Sequence, residues 1–366
     1  MQLNIRTPQT YISEPGILQR AGEIIQKYGN RVLFIAGEHA WAAAGKSLQD
    51  SLQAQNIISH TELFCGFPTV KAAENYAAKA RDWQADLIVA VGGGKTMDVA
   101  KAAGNLAGIA VATVPTIAAT CAAWAALSVL YTEEGDFCEF RRNAHCPVLI
   151  LADTAVIAQA PVRYLRAGIV DTLAKWYETA PALQEAEEDL PLNISVYGAK
   201  LGFDLLEKEA AEAIQATEKG DPAPALQRSV DAILYLAGFV GSFIGGKAYG
   251  GFAHPFYHSV RRVRTVEHML HGELVAFGII TQVILEKRPD AEVEEIIRQF
   301  DRLGEAFTLE EIGFEEEHEQ YLVADRILRE FPGIVIAKEY QNREDIVRGF
   351  WEADQRIRRI TGKGDR

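Results

Sequence analysis

The chain lacks the features that define several protein classes. It has only four cysteines in 366 residues, and no two of them are spaced as a CxxC pair. Disulfide-rich secreted folds are therefore disfavoured, and thiols in a reducing cytoplasm are expected. No apolar run reaches the roughly 18–20 residues that a membrane span needs. The first residues also lack the apolar core of a secretory signal, so we expect a cytoplasmic protein that does not associate with membranes.

Basic residues are fewer than acidic residues, 37 against 50, which argues against binding to nucleic acids and anionic membranes. The formal net charge is −13 at pH 7, whereas nucleic acids and anionic membrane surfaces attract basic patches. The sequence contains no internal repeat and no low-complexity segment. Its content of 48% hydrophobic and 24% charged residues is ordinary for a globular protein, and its length allows two domains.

Strand and helix patterns alternate over the first 155 residues and then give way to helices alone. Short apolar runs of this kind are typical of strands covered on both faces of a parallel sheet. The predicted strands are Arg31–Ala36, Thr61–Phe64, Leu87–Val91, Ile109–Val114 and Val148–Leu151, with helices at Val70–Trp83 and Thr96–Leu106 among others. Later helices are predicted at Leu165–Glu178, Pro191–Ala213, Pro222–Gly238 and Glu273–Leu285. We therefore predict an α/β domain at residues 1–155 and an all-α domain at residues 156–366.

A glycine-rich turn follows the predicted strand Leu87–Val91. Residues 92–98 read GGGKTMD and open a helix, whose free N–H groups and positive dipole end favour an anion such as a phosphate. A Walker loop would need glycine where Val89 stands, and a GxGxxG fingerprint would need it at Met97. An ordinary strand-to-helix turn is an equal alternative. Lys95, Asp98 and Lys101 on the following helical turns favour binding.

Four of the eight histidines lie between residues 254 and 271, downstream of Asp171 on a predicted helix. One aspartate and two histidines form a ligand set for a divalent metal with an open coordination position. His254 and His258 share one face if their segment is helical. The glycines that precede them (Gly241, Gly245, Gly246, Gly250 and Gly251) would allow the backbone to approach a site closely. Each residue also has a simpler interpretation, with Asp171 as a helix N-cap after Gly168 and the histidines as surface groups.

Taken together, these segments resemble the glycerol dehydrogenase branch of the iron- and zinc-dependent (group III) alcohol dehydrogenases. The resemblance is found in residues 92–102, 114–120, 126–132, 168–178 and 270–278, in the family's order. It implies a Rossmann-like dinucleotide-binding domain followed by a helical metal-binding domain, the fold of the dehydroquinate synthase type. The activity it implies is hydride transfer between NAD or NADP and a small alcohol or ketone, in a homo-oligomer.

The resemblance also assigns roles to individual residues. Asp171, His254 and His271 match the metal ligands and catalytic centre, and Gly93, Gly94 and Lys95 match the pyrophosphate turn, with Asp98 on its helix. Positions that line the nicotinamide half of the cofactor are matched by Thr116, Ala119, Leu127 and Tyr131. Iron-type members have a further histidine where this chain has Lys175. Three ligands remain, so Zn²⁺ is expected, with Fe²⁺ as the alternative.

Three departures from the family bear on substrate and cofactor. Cys121 replaces an aspartate that contacts the polyol in glycerol dehydrogenases, and a thiol is a weaker acceptor for a hydroxyl group. Residues 120–124 instead resemble relatives that act on 2-hydroxy and 2-oxo carboxylates, so Cys121 and His254 are expected at the substrate. Gly37 replaces the aspartate that holds the ribose in NAD-preferring members, which leaves NAD and NADP open. Tyr257 stands where the family has a second histidine, and the role of His258 is therefore undetermined.

Arg261, Arg262 and Arg264 could grip a substrate carboxylate, although a solvated loop is the simpler interpretation. The leading hypothesis is thus a metal-dependent dehydrogenase of a small secondary alcohol, preferably a 2-hydroxy carboxylate. Glycerol is the first alternative substrate. A lyase similar to dehydroquinate synthase and a non-enzymatic cofactor-binding relative are also compatible with these residues.

Overall fold

The computed structural model describes residues 5–182, 189–243, 251–263, 266, 268–314, 316–332 and 342–364. Within these residues the chain forms two compact units. The sheet unit runs to Leu165 and includes Leu205–Ser242, and the helical unit comprises Arg166–Asp204 and the chain from Phe243 onward. This grouping differs from the predicted division at residue 155, because the helical residues 205–242 pack with the sheet.

A six-stranded sheet with parallel pairing throughout forms the core of the sheet unit. Its strands are β1 (Thr10–Glu14), β2 (Arg31–Gly37), β3 (Ile58–Phe64), β4 (Leu87–Gly92), β5 (Ala110–Pro115) and β8 (Leu149–Asp153), in the order β1-β8-β5-β4-β2-β3. Strand β4 is buried along its whole length, which explains its unbroken apolar sequence. The predicted α/β class is confirmed.

The strand order places a topological switch point between β2 and β4. From β2 the chain moves to the edge strand β3 and then returns to the other side of β2 to form β4. In open α/β sheets, ligands bind outside the carboxyl ends of the strands at such a point. The glycine-rich turn begins at Gly92, the last residue of β4 and the partner of Pro115 in β5.

The remaining elements of the sheet unit are helices and one hairpin. The helices are α1 (Ala21–Ile25), α2 (Glu38–Ala54), α3 (Val70–Asp82), α4 (Gly94–Ala107) and α5 (Thr154–Ala158). The antiparallel hairpin consists of β6 (Leu127–Tyr131) and β7 (Phe137–Arg142). The segment after Leu205 adds the end of α7 (Leu190–Glu218), then α8 (Pro224–Asp231), a π-helical turn (Ala232–Leu236) and most of α9 (Ala237–Phe243).

Among the described residues of the helical unit, every element of secondary structure is a helix. Its elements are most of α6 (Val162–Thr179), the first half of α7, and α10 (Ala253–Val263), α11 (His271–Leu285), α12 (Asp290–Leu303), α13 (Leu309–Ile312), α14 (Glu317–Glu330) and α15 (Arg343–Thr361). Helix α11 is buried at nearly every position. The rings of Phe252, Phe256, Phe277 and Phe350 pack together at centroid distances of 5.3–6.3 Å. This apolar core fixes α10 against α11 and α15.

Several sequence predictions change in the structure. Strands β1, β6 and β7 were not predicted, because each is short and only half-buried, with polar residues among the apolar ones. Asp171 lies in the middle of α6, so the N-cap interpretation is wrong. None of the four cysteines forms a disulfide. Among the described residues, no helix has the length and hydropathy needed to cross a bilayer.

Candidate functional site

One face of α6 presents three buried charged side chains. Asp171, Lys175 and Glu178 are 2%, 6% and 0% exposed, and their spacing of four and three residues puts them on the same side of the helix. Charged groups are rarely buried unless they are paired or bind a metal. This face of α6 therefore marks a polar site inside the helical unit.

Two histidines reach this face from neighbouring helices. His254 lies in the first turn of α10, and His271 is the first residue of α11. Gly272 makes the approach of α11 possible, because a Cβ there would lie 1.9 Å from the carbonyl oxygen of Ala167 on α6. At Gly251 a Cβ would lie 2.1 Å from Cγ of Glu178. Close approach at a glycine was therefore predicted correctly for Gly251, while the predicted Gly245, Gly246 and Gly250 lie outside the described residues.

The side chains converge on one oxygen atom. Oδ1 of Asp171 is 3.2 Å from Nε2 of His254 and 3.1 Å from Nε2 of His271. These three atoms lie within 4.8 Å of one another. The ammonium of Lys175 is 3.4 Å from the same Oδ1 and 3.2 Å from Nε2 of His254. We call these four residues and Glu178 the α6 cluster.

Glu178 orients the imidazole of His254. Its Oε2 is 2.5 Å from Nδ1 of His254, and its Oε1 accepts the backbone N–H of the same residue at 2.9 Å. A proton on Nδ1 leaves the lone pair of Nε2 directed at Asp171. A carboxylate held against the outer nitrogen of a histidine ligand is the usual arrangement around a bound metal. Tyr257 supports the second histidine, with its ring edge-on to that of His271 at a centroid distance of 4.1 Å.

The pKa shifts at Asp171 and His271 favour the protonation states of metal ligands, whereas the shift at His254 has the opposite sense. Burial would raise the pKa of Asp171, but the positive charge of Lys175, together with the contacts of His271 and His254, outweighs it and holds that pKa well below its usual range. Burial lowers the pKa of His271. Burial acts in the same sense on His254, but the nearby carboxylate of Glu178 outweighs it and raises the pKa of this imidazole. Asp171 is therefore ionised and His271 neutral at pH 7, as metal binding requires.

The donor set fits a divalent metal. Zinc bonds of about 2.0–2.2 Å in tetrahedral geometry separate neighbouring ligand atoms by roughly 3.3–3.5 Å, and the measured separations from Asp171 Oδ1 are 3.1 and 3.2 Å. With the proton of His254 on Nδ1, Oδ1 of Asp171 and Nε2 of His254 are both acceptors, and the ammonium of Lys175 contacts both of them. One carboxylate and two imidazoles leave a coordination position open for substrate.

The sequence pointed to the three candidate ligand residues but missed two further residues of the α6 cluster. Lys175 was noted only as the absence of a histidine, and Glu178 was not assigned a role. A usable signal was present, since Asp171, Lys175 and Glu178 follow the i, i+4, i+7 spacing of one helical face. A run of charges at that spacing in an otherwise apolar helix indicates a buried polar site.

The arginines predicted as a carboxylate grip are engaged elsewhere. Arg262 pairs with Glu330, and Arg261 donates to the carbonyl oxygen of Val266 at 3.3 Å. Arg264 lies outside the described residues. His258 shares α10 with His254, and its ring stacks on Phe331 at a centroid distance of 6.1 Å. Burial and the nearby cationic groups hold the pKa of His258 well below its usual value.

In the sheet unit, the glycine-rich turn lines a cavity at the carboxyl ends of β4 and β5. Its lining includes Gly93, Gly94, Pro115, Ala119 and Leu234. The backbone N–H of Thr116 donates to the carbonyl of Gly92 at 3.1 Å and closes one side of the turn. Helix α4 begins at Gly94 with no side-chain cap, so its first N–H groups suit an anion.

Other predicted cofactor residues gather beside this turn. The ammonium of Lys95 lies 3.9 Å from the ring centre of Phe67, which packs in turn on Tyr131 at 5.8 Å. Leu127 and Tyr131 are the first and last residues of β6 and are partly exposed. Phe67 was not singled out from the sequence, because an isolated aromatic residue gives no local signal.

A buried lysine joins Asp98 to the loop that follows Cys121. Asp98 is 3.1 Å from the ammonium of Lys101, which also donates to the carbonyls of Ala122, Ala125 and Leu127 at 2.5–3.1 Å. This lysine fixes the loop that begins at Cys121, the first residue of a short 3₁₀ helix (Cys121–Ala123). Asp98 thus has a structural partner within the protein, and its contact with a cofactor stays a prediction.

Comparison with known proteins places the chain in a family. Residues 8–154 match the family model described as iron-containing alcohol dehydrogenase. The chain is 33% identical over 321 residues to a glycerol dehydrogenase of Pseudomonas putida, covering 87% of each. It is 32% identical over 286 residues to hydroxycarboxylate dehydrogenase A of Escherichia coli strain K12, covering 77% of this chain and 78% of that one. A probable glycerol dehydrogenase from Sinorhizobium meliloti 1021 superposes with a TM-score of 0.86 at 26% identity, covering 98% and 100%.

The fold and the metal-ligand cluster define a metal-dependent dehydrogenase that acts on an alcohol or polyol. The chain belongs to the iron-containing alcohol dehydrogenase family. This assignment confirms both the resemblance noted from the sequence and the predicted enzyme class. The lyase and non-enzymatic hypotheses receive no support, since the relatives described above are dehydrogenases. Membership implies a divalent metal and a nicotinamide dinucleotide as cofactors.

Proposed function

We propose that the protein is a zinc-dependent, NAD(P)-linked dehydrogenase that interconverts a small 2-hydroxy carboxylate and the corresponding 2-oxo carboxylate. The observation that supports it best is the α6 cluster, in which a metal-ligand set and a buried ammonium group occupy the same site. A ligand set of this kind serves catalysis when one position is left for substrate. The buried ammonium adds a positive charge that suits an anionic substrate.

Each part of the proposed site has a distinct task. Asp171, His254 and His271 hold the ion, and Glu178 keeps Nε2 of His254 available to it. When bound, the ion would supply Lewis-acid polarisation of the substrate oxygen, and the dinucleotide would supply hydride exchange at the substrate carbon. The backbone of Gly93 and Gly94, with Lys95, binds the pyrophosphate.

The nicotinamide half of the dinucleotide is assigned to residues after β5. Thr116 and Ala119 follow that strand, and Leu127 and Tyr131 lie in the hairpin anchored by Lys101. These contacts would fix which face of the nicotinamide ring meets the substrate. Cytoplasmic location and a homo-oligomeric state stay predictions.

Two further arguments favour a carboxylate substrate. Cys121 stands where glycerol dehydrogenases carry the aspartate that contacts the polyol, and its thiol is a poor acceptor for a hydroxyl group. One of the relatives described above is a hydroxycarboxylate dehydrogenase.

Steady-state kinetics on zinc-loaded protein tests this proposal. We expect kcat/KM for 2-oxobutyrate with NADH or NADPH to exceed kcat/KM for glycerol with NAD by at least about tenfold, a difference of roughly 1.4 kcal/mol in transition-state binding. Comparison of kcat/KM with NADH and with NADPH identifies the preferred cofactor, because Gly37 is compatible with either one. Parallel loading with Fe²⁺ decides the metal. Activity on glycerol alone would overturn the substrate assignment.

Glycerol is the second candidate substrate. It is favoured by the glycerol dehydrogenase of Pseudomonas putida, which matches this chain over 87% of both lengths. In that case a group other than Cys121 must accept the hydroxyl hydrogen bonds of the polyol. Introducing the acidic residue with Cys121→Asp should then raise glycerol turnover further, whereas it should repel a carboxylate substrate.

A further inference from the structure

Lys175 occupies an unusual place for a basic residue, inside a set of metal ligands. Its side chain is buried, and its ammonium contacts both Asp171 Oδ1 and His254 Nε2. These are two of the three atoms that would bind the ion. A cation and a divalent metal so close together repel each other, so this arrangement needs a compensating negative charge.

The charges of the α6 cluster define what that compensation must be. Asp171 and Glu178 each contribute one negative charge and Lys175 one positive charge, while the two imidazoles are neutral as ligands. A divalent ion therefore leaves the cluster with one excess positive charge. An uncompensated charge is costly in a buried site. A neutral polyol leaves that charge in place, whereas a monocarboxylate neutralises it.

We propose that Lys175 is the specificity-determining residue, which binds the carboxylate of the substrate beside the metal. With an ion held by Asp171 and His254, the lone pairs that the ammonium of Lys175 contacts would be occupied. The ammonium, with three donors on a flexible stem, then turns to the substrate carboxylate. This proposal rests on the proposed function, since it names the group that selects the carboxylate.

The other basic residues of this region are less suited to the task. Arg262 pairs with Glu330, and Arg261 donates to a backbone carbonyl. Lys175 contacts the ligand atoms directly and is fixed on α6, the helix that also presents Asp171. The metal site and the carboxylate site therefore share one rigid element, α6. Sites built on rigid elements hold their geometry more precisely than sites built on loops.

The test compares wild type with Lys175→Met, which keeps the length of the side chain and removes its charge. Lys200→Met, at a surface ion pair with Asp204 on α7, is the matched control, and Lys175→Arg keeps the charge. The first readout is the binding of oxamate, an unreactive analogue of a 2-oxo acid, to the zinc- and NADH-loaded protein by calorimetry. We expect Lys175→Met to weaken it about tenfold to a hundredfold, the range of one charge-assisted hydrogen bond. Lys175→Arg should recover part of this loss.

A second readout separates specificity from general damage. In kinetics, Lys175→Met should lower kcat/KM for 2-oxobutyrate at least about tenfold more than for the neutral ketone hydroxyacetone, mainly through KM. Zinc affinity, measured by competition with a chromophoric chelator, should be retained or increased because the competing cation is removed. Loss of zinc binding, or equal losses on both substrates, would overturn the proposal.

The outcomes distinguish this inference from the proposed function. Wild-type preference for glycerol over 2-oxobutyrate contradicts the proposed function. Equal oxamate binding by wild type and Lys175→Met contradicts the role of Lys175, whichever substrate the wild type prefers. Circular dichroism and thermal unfolding of each variant establish that it is folded.

Discussion

At the scale of single residues, the site depends on pairs of atoms that the sequence does not place together. Glu178 holds Nδ1 of His254, and Nε2 faces Asp171, so that with the proton on Nδ1 the lone pair of Nε2 is available to a metal. An imidazole whose tautomer and orientation are already fixed binds a metal without first reorganising. Glu178 is therefore a positioning residue for His254.

Removing the charge of Glu178 should weaken metal binding. In Glu178→Gln, the amide cannot accept from both Nδ1 and the backbone N–H of His254, because one of its ends is a donor. Zinc affinity should fall about tenfold to a hundredfold, the usual effect of losing such a partner. Chelator competition measures it, with Glu294→Gln at a surface ion pair as control. Unchanged affinity would mean that the ligands alone orient His254.

The sequence pointed to the three candidate ligands, which the structure brings together, but not to the side chains around them. Asp171, His254 and His271 were identifiable because a resemblance to a family aligns them and their residue types suit a metal. The contacts of Lys175 depend on how α6, α10 and α11 pack, which residue types and spacing do not reveal. The turn at Gly92–Gly94 was predictable for a different reason. The strand, the turn and the helix each have a local sequence pattern, and the three are consecutive in the chain.

At the scale of elements, the site depends on close packing of helices. His271 reaches Asp171 because α11 begins against α6, with Gly272 over the carbonyl of Ala167. The strands of the main sheet were predictable from their continuous apolar runs. The hairpin β6–β7 was not, because alternating burial and polar residues make its strands resemble loops.

A methyl group at Gly272 should disrupt this contact. Because the neighbouring atom is backbone, α11 must shift in Gly272→Ala, and overpacking of this kind costs about 1–3 kcal/mol of unfolding free energy. The shift should also weaken zinc binding by moving His271. Urea denaturation and zinc titration measure the two effects. Gly364→Ala is the control, since nothing lies within 4 Å of a Cβ there.

Comparison of Gly272→Ala with the control Gly364→Ala shows whether the prediction fails. If Gly272→Ala and Gly364→Ala leave both stability and zinc affinity at the wild-type values, α11 has room to move and Gly272 is not required for the approach. Loss of stability without loss of zinc affinity would show that the shift spares His271.

At the scale of the whole molecule, stability responds to a half-buried carboxylate in the sheet unit. The hydroxyl of Tyr11 in β1 donates to Asp231 at the end of α8, at 2.7 Å. Burial raises the pKa of Asp231. The folded state therefore binds this proton more tightly than the unfolded state does, and its stability falls as pH rises through the raised pKa.

Asp231→Asn should remove this dependence. The amide oxygen still accepts from Tyr11, and no charge is buried at pH 7. The variant should be more stable than wild type at pH 7, and the difference should shrink as pH falls toward the ordinary aspartate pKa of 3.8. Urea midpoints across this range measure it, with exposed Asp50→Asn as control. A difference that does not change with pH would contradict the titration of Asp231.

Removal of the metal should affect the helical unit more than the sheet unit, because all the proposed ligands belong to the helical unit. A ligand present at about a hundred times its dissociation constant stabilises the form that binds it by about 2.7 kcal/mol. Chelation should therefore speed amide hydrogen exchange in α6, α10 and α11 by up to about a hundredfold, while β4 changes little. NADH should give the reverse pattern, with protection around the turn after β4. In Asp171→Asn, added zinc should protect neither unit. If zinc protects β4 as strongly as α10, the two units must open together, and the metal stabilises the whole chain and not only its own site.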